Sequence, residues 1–407
     1  MEQQGMRKPF KYKLKPTPEQ ERLLEHTLMR CRHIYNAAVG ERHEAWRMRG
    51  ITVTYYQQKA ELPGIKEAMP EYGEVHSQAL QDVVLRVERA FQAYFQRLRE
   101  GTTPGYPRFH GRNRYTSFTY PQFENGARLD NGFLVLSKIG RVAVRWSRPI
   151  KGSIKTVTIS READGWHACF SCAEVPIQPL RPTGQETGID LGLPSFATLE
   201  DGTMIHNPRF YRKAEAYLRR CQRRVARRKL GIKRRKKAVE LLAKAHLKVK
   251  RQRQDFHQKA ALSLVRAYDT ISYEDLQTAN MLRNHSLAKS IGDAGWSAFL
   301  SLLVCKAAYA GKQAVAVPPA FTTQDCSGVL PDGTACPERI QKALSVRTHV
   351  CPRCGLVLDR DQNAALTILR RGRRERGAGQ GPQASTWGRW AERRLSIPWL
   401  KPGGVST

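Results

Sequence analysis

The sequence predicts a multidomain α/β protein: an antiparallel β-barrel carrying an inserted helical bundle, then a mixed α/β domain with a cysteine-rich insertion. Three observations predict it. Between about Tyr115 and Val175 apolar residues recur at every second position, as on half-buried strands. From Thr187 to Arg371 the patterns run β-β-β, helices, β, helix, β, an insertion, then helix. Four cysteines, Cys326, Cys336, Cys351 and Cys354, fall within that insertion.

The elements follow in order. "KPFKYKLK" alternates basic and apolar residues and reads as a strand that helps close the barrel. Pro16, Thr17, Pro18 and Glu19 start a helix whose stripe is Leu23, Leu24, Leu28, Ile34 and Tyr35. In "SQALQDVVLRVERAFQAYFQRLRE" the residues Leu80, Val83, Val84, Val87, Phe91, Tyr94, Phe95 and Leu98 share one face. Hairpin turns are expected at "DNG" and "ADG". The barrel is thus expected from residues 1–16 and 113–183, with the bundle at 17–112 inserted into it. "PIQPLRPTGQE" marks a boundary near residue 184, after which "TGIDLGLPSFATLEDGTMI" reads as three strands. A basic helical segment occupies 208–260 and breaks at Gly231. An amphipathic helix then runs through Tyr268, followed by the strand "TISYEDL", a disordered-looking "QTANMLRNHSLAKS", a helix from Ala294 to Gly311 and the strand "QAVAVPP". Residues 372–407, rich in Gly, Gln and Arg, are expected to form a flexible tail.

Charge narrows the function. The 407 residues carry 69 Lys and Arg against 36 Asp and Glu, a net charge of +33. Such self-repulsion calls for a polyanionic partner, either nucleic acid or an anionic membrane. The longest apolar stretch, from Trp296, is too short to span a bilayer and is broken by Lys306, which disfavours the membrane. The N-terminus lacks the apolar core of a signal peptide, so a cytoplasmic, nucleoid-associated protein is expected. From Pro208 to Gln254 twenty Lys and Arg face two Glu, Glu215 and Glu240, which points to nucleic-acid contact rather than a merely solvated face. Cys31, Cys169, Cys172, Cys221 and Cys305 stand singly and read as small buried hydrophobes.

Three acids stand at strand ends or a helix start. Asp190 lies in "GIDLG", Glu274 ends "ISYE", and Asp361 opens "DQNAALTIL". Each alone has a plain structural reading, and Asp359 is assigned to the helix N-cap. As an ordered set they follow the logic of a ribonuclease-H-like nuclease, in which carboxylates from separate elements hold two divalent cations. Cys351 and Cys354 form a C-x-x-C pair that needs two more thiolates to close a tetrahedral zinc site. Cys326 and Cys336 supply them if "SGVLPDGTA" forms a loop that returns the second thiolate to the metal. A C-x-x-C pair can instead be redox-active, but Gly355 and the upstream pair favour zinc.

The strings "GIDLG", "YEDL", "SIGDAGW", "TTQDC", "LSVRTHVCPRCGLVLDRDQNAALTIL" and "KLKPTPEQERLLE" resemble the TnpB (OrfB) family of insertion-sequence proteins, across residues 8 to 371. The resemblance implies an RNA-guided DNA endonuclease. It implies a RuvC-like nuclease domain at 184–320 and 357–371, a zinc ribbon at 321–356, a wedge-like barrel and a helical recognition bundle. Asp190, Glu274 and Asp361 would be the catalytic, Mg2+-binding acids, and the four cysteines the zinc ligands. Partners would be a guide RNA from the transposon end and double-stranded target DNA bearing a short adjacent motif. By motif, Tyr55 and Gln81 match positions that read that motif. The family's first cysteine pair is usually C-x-x-C, and here it is expanded. The rival readings are a strand-transfer transposase, a non-cleaving guide-dependent regulator, and a basic RNA-binding protein with incidental zinc.

Overall fold

A computed structural model describes residues 5–343 and 345–377, and the chain divides into two compact units between Ile177 and Gln178. The expected boundary near residue 184 falls a little late. Residues 178–184 strap onto the second unit, where the Gln178 N–H donates to the Tyr309 carbonyl and the Thr183 N–H to the Asp269 carboxylate, both at 2.9–3.0 Å.

In the first unit β1 (Met6–Lys15) leads into four helices: α1 (Pro18–Arg49), α2 (Tyr55–Ala60), α3 (Leu62–Ala68) and α4 (Ser77–Arg99). Thr17 and Gln20 form a capping box at the start of α1, and Gly50 closes it with φ of 64°. Leu24, Leu28, Cys31 and Tyr35 of α1 are buried, as are Leu80, Val83, Val84, Val87 and Phe91 of α4. Each such side chain contributes about 1.5–3 kcal/mol by leaving water. The last turns of α4 depart from the expected stripe, for Phe95 and Leu98 are exposed while Tyr94 sits edge-on against Tyr106.

Six strands follow: β2 (Ser117–Tyr120), β3 (Ala127–Asp130), β4 (Phe133–Leu136), β5 (Gly140–Arg145), β6 (Ser153–Glu162) and β7 (Gly165–Val175). They join β1 in an antiparallel sheet of order β2-β6-β7-β1-β5-β4-β3. The N-terminal strand therefore lies in the middle of the sheet. No ladder joins the two edge strands among the described residues, although the Tyr120 hydroxyl donates to the Ser137 carbonyl at 3.3 Å and curls one edge toward the other. The sheet is curled and antiparallel, and its ladder order is that of an open sheet.

The second unit opens with β8 (Glu186–Asp190), β9 (Ser195–Leu199) and β10 (Met204–His206). The basic helices α5 (Phe210–Ala226) and α6 (Lys233–Ala267) break at Gly231, with φ of 85°, and α6 continues without interruption into the helix expected separately before Tyr268. After β11 (Thr270–Glu274) come α7 (Thr278–Met281), α8 (His285–Ala294) and α9 (Trp296–Tyr309), then β12 (Gln313–Val317). The stretch read as disordered is thus helical. Local caps close α8, with the Asn284 side chain accepting the Ser286 N–H at 3.1 Å and Gly295 ending the helix at φ of 68°, and the Asp293 carboxylate of α8 accepts the Tyr211 and Arg212 N–H groups at 2.9 and 3.1 Å, capping α5 from outside.

The segment His285–Tyr309 is long and apolar enough to cross a membrane by length and composition. It is broken at Gly295, where φ is 68°, and Trp296, Phe299, Leu300 and Leu303 are core residues. The chain ends with the hairpin β13 (Thr348–Val350) and β14 (Val357–Asp359) and the helix α10 (Arg360–Gly377). That helix runs six residues into the expected tail, and the rest of the tail lies outside the described residues.

The five-stranded sheet has the order β10-β9-β8-β11-β12, with β8, β11 and β12 parallel. Its two faces alternate residue by residue. Ile189 and Ile271 enter the core built with Ala261, Leu264, Phe299 and Leu303 of α6 and α9. Gly188 and Ser272 point the other way, against α10. A Cβ on Gly188 would collide with the Ala365 carbonyl oxygen, and one on Gly372 with the Ser272 hydroxyl. Those two glycines let the helix lie directly on the sheet.

Candidate active site and thiolate cluster

Asp190 and Glu274 occupy the carboxyl ends of adjacent parallel strands. The register pairs Tyr273 with Ile189, so the next residues, Glu274 and Asp190, stand side by side. Side chains alternate along a strand, so both share the face of Gly188 and Ser272, the face that α10 covers. Arg373 and Arg376, near the end of α10, pair with Glu186 at the start of β8, so the helix runs against the strand. Ala365 lies over Gly188. One helical turn earlier Asp361 is carried toward Asp190, because a turn of helix advances about 5.4 Å and two strand residues about 6.6 Å.

The electrostatics agree with that geometry. Asp190 is 7% exposed and Glu274 6%. Burial pushes the Asp190 carboxyl well above its ordinary range, and the charges of Glu274, Asp361 and Asp359 push it further, opposed by Arg360. Burial also raises Glu274, against the Thr322 hydroxyl, which donates to it, and the charge of Arg371. Asp361 faces Arg347 at 3.7 Å and Arg360 at 3.4 Å. Asp190 makes no ion pair among the described residues. A set of like-charged oxygen donors, two of them buried, is what a hard divalent cation satisfies. Asp359 takes the role assigned to it, accepting the Asp361 and Gln362 N–H groups at 2.8 and 3.2 Å as the N-cap of α10.

The four sulfurs lie within 4.8 Å of one another. Cys326 and Cys354 are 3.5 Å apart, and Cys336 and Cys351 3.7 Å. Tetrahedral zinc with bonds of about 2.3 Å sets sulfurs about 3.8 Å apart, so the donor set fits that ion. The expanded loop does return Cys336. Thr334 folds onto the Asp332 carboxylate, Gly333 takes φ of 80°, and Val329 bridges to Ala335. The Gly328 N–H donates to the Cys326 sulfur at 3.3 Å, and a Cβ there would press on Cys354. Burial works to raise the Cys351 thiol, but the N–H groups of Cys354 and Arg353 outweigh it and bring it down to about 7, while burial raises Cys326. Of the single cysteines, Cys31, Cys172 and Cys221 are buried and Cys169 half-buried, but Cys305 is exposed, against expectation.

Several contacts were beyond what the sequence could show. Asn363, fully buried, bridges the Ser327 N–H and the Asp325 carbonyl, and Arg370 donates to the carbonyls of Cys326, Ser327 and Gly328. The thiolate insertion is therefore pinned to α10, whose first turn carries Asp361. Thr322 and Asp325 sit in "TTQDC" and Asp293 in "SIGDAGW", strings that mark positions without showing what each side chain meets. Tyr55 and Gln81 are half-buried in α2 and α4, and those two helices pack together.

Comparison with known proteins gives three family-model matches. They are described as "Probable transposase" over residues 169–285, "Cas12f1-like, TNB domain" over 296–368 and "Helix-turn-helix domain" over 6–50. The last stretch forms β1 and the single uninterrupted helix α1 in this chain. A cryo-EM structure of a Cas12f1–sgRNA–target DNA complex covers 89% of this chain and 99% of that one at 12% identity, with a TM-score of 0.32. An Escherichia coli protein, "Putative RNA-guided DNA endonuclease InsQ", is 28% identical over 78% of this chain and 82% of its own length. A Streptomyces pristinaespiralis protein, "Putative RNA-guided DNA endonuclease", is 34% identical over 93% of this chain and 92% of its own. With similarity of that depth along nearly the whole of both proteins, this chain belongs to the TnpB/OrfB family of insertion-sequence proteins.

Proposed function

We propose that this protein is an RNA-guided, Mg2+-dependent DNA endonuclease of a transposable element. The observation that supports it is that Asp190 and Glu274 are buried at the ends of adjacent parallel strands, with Asp361 in the first turn of the helix that covers them. The sheet and its covering helix would form a RuvC-like domain, and Asp190, Glu274 and Asp361 would hold two Mg2+ ions. When bound, those ions activate a water and stabilise the leaving oxygen of the phosphodiester. The chain's own part is to place three oxygen donors, keep Asp190 and Glu274 buried among them, and hold Asp361 through the Asp359 cap and α10. The four cysteines would hold one structural Zn2+ in the ribbon.

The basic helices supply the second half of the reading. From residue 216 to 239 there are twelve Lys and Arg and no acid. Lys233, Arg234, Lys236 and Lys237 are exposed in the first turns of α6, the end of a helix whose dipole repels cations. Ile232 gives that end no side-chain cap. Phosphates would relieve both defects, and a structured RNA from the transposon end is the partner the family suggests. RNA affinity should fall steeply with salt, and reversing Lys233 to Lys237 to glutamate should flatten the log–log slope by about 0.7–0.9 per lost phosphate contact. An unchanged slope would mean that those side chains face only solvent.

Within the first unit, the curled sheet would serve as a wedge and α1–α4 as the recognition bundle, with Tyr55 and Gln81 reading the motif beside the target. The protein would work in the cytoplasm on nucleoid DNA. The direct test is a supercoiled plasmid offered to the chain with an RNA transcript of the transposon end. Linear product is expected only with a matching guide, the adjacent motif and Mg2+. Joined DNA ends, or cutting that ignores the guide, would favour a transposase.

A further inference from the structure

Thr322 is 2% exposed and lies four residues before the first thiolate, Cys326. Its hydroxyl has one proton and two acceptors within reach, the Glu274 Oε1 and the Pro319 carbonyl at 3.3 Å. A threonine that served only local folding would be satisfied by that carbonyl. Here the carboxylate is the nearer acceptor.

Glu274 has the longest side chain of the three acids and so the most rotamers to lose when it takes a metal. A donor fixed on one of its oxygens leaves the other free and limits the rotation. Thr322 can do this because its own segment is held from several sides. The Asp325 carboxylate is gripped by Arg339 at 2.6 Å and Arg371 at 2.7 Å, and the Asp325 N–H donates to the Phe321 carbonyl at 2.9 Å. Asn363 and Arg370 hold the next three residues to α10, and the thiolates hold Cys326.

We propose that Thr322 is a positioning residue for the acid site: its hydroxyl orients Glu274 for metal binding, and the thiolate-anchored segment 322–328 fixes Thr322. The proposal rests on the reading of Asp190, Glu274 and Asp361 as the metal-binding acids. Groups of this kind, hydrogen-bonded to a ligand, typically change metal affinity or activity by about 10- to 100-fold when removed.

The test compares Thr322→Val, which keeps the shape and loses the hydroxyl, with Thr322→Ser, which keeps the hydroxyl. Mn2+ is titrated by calorimetry into the full zinc-loaded chain without RNA, and single-turnover cleavage by the RNA complex is followed against Mg2+ concentration. Thr322→Val should weaken Mn2+ binding and raise the Mg2+ requirement by about 10- to 100-fold, with most of the rate recovered at saturating Mg2+. Thr322→Ser should stay near the parent, and both should keep their zinc and their RNA affinity. Parental metal dependence in Thr322→Val overturns the proposal. So does an equal loss in Thr322→Ser, or a loss of zinc or RNA binding in Thr322→Val, which would show a folding role. Asp190→Ala separates the two levels: if it binds Mn2+ as the parent does, the acid-site reading fails first and the Thr322 proposal with it.

Discussion

Alanine at Asp190, Glu274 or Asp361 is expected to lower DNA cleavage by more than about 10^3-fold, since losing a carboxylate that would hold the metal ions removes several kcal/mol of transition-state stabilisation and each 1.36 kcal/mol is tenfold in rate. Guide-dependent DNA binding should survive in all three, because two acids lie at one end of the sheet and the third at the start of its covering helix, and the core is built from other residues. Asp359→Ala should keep measurable activity and lose stability instead, by about 1 kcal/mol, as an N-cap does. Single-turnover cleavage and a filter-binding assay on the same preparations check both halves. Full activity in Asp361→Ala would show that the wrong aspartate of "DRD" has been chosen. Strand joining dependent on the same three acids would replace the endonuclease reading with the transposase one.

Stripping the thiolate metal should have the second large effect. One zinc per chain is expected by metal analysis, and in small zinc modules such binding is worth roughly 10–16 kcal/mol. Cys326, Cys336 and Cys351 are buried together with a thin apolar lining of Leu330, Ile340 and Leu356, too little to hold residues 321–356 without the ion. Cys351→Ser or a strong chelator should therefore unfold the insertion, seen as loss of hydrogen-exchange protection there. The effect should not stop at residue 356. Asn363, Arg370 and Arg371 take their partners from the insertion, so the start of α10 should loosen and cleavage should fall while the five-stranded sheet keeps its protection. A zinc-free chain that cuts like the parent would show that the cluster has no part in holding the site.

Signals local to the chain were enough to read most of the elements and to pick out the candidate site residues. Period-two patterning made the strands of the first unit, and helix stripes and the Thr17 capping box made α1 and α4, because these signals depend only on neighbours along the chain. Asp190, Glu274 and Asp361 could be picked out by their places at strand ends and a helix start, and the four thiols by their chemistry. The excess of cations could be counted directly.

Tertiary structure decided what those residues meet. Helix α8 carries Asp293, which caps a helix some eighty residues earlier, and no local pattern records that pairing. The sheet of the first unit has the ladder order of an open curl because edge pairing depends on strands far apart in sequence. Gly188 and Gly372 could be read as glycines, but their use, letting α10 touch the sheet, exists only when Ala365 and Ser272 are beside them. Thr322 looked like one hydroxyl in a motif until the fold set it against Glu274. Local propensities act over a few residues, whereas burial and long-range hydrogen bonds act between segments that only the folded chain brings together.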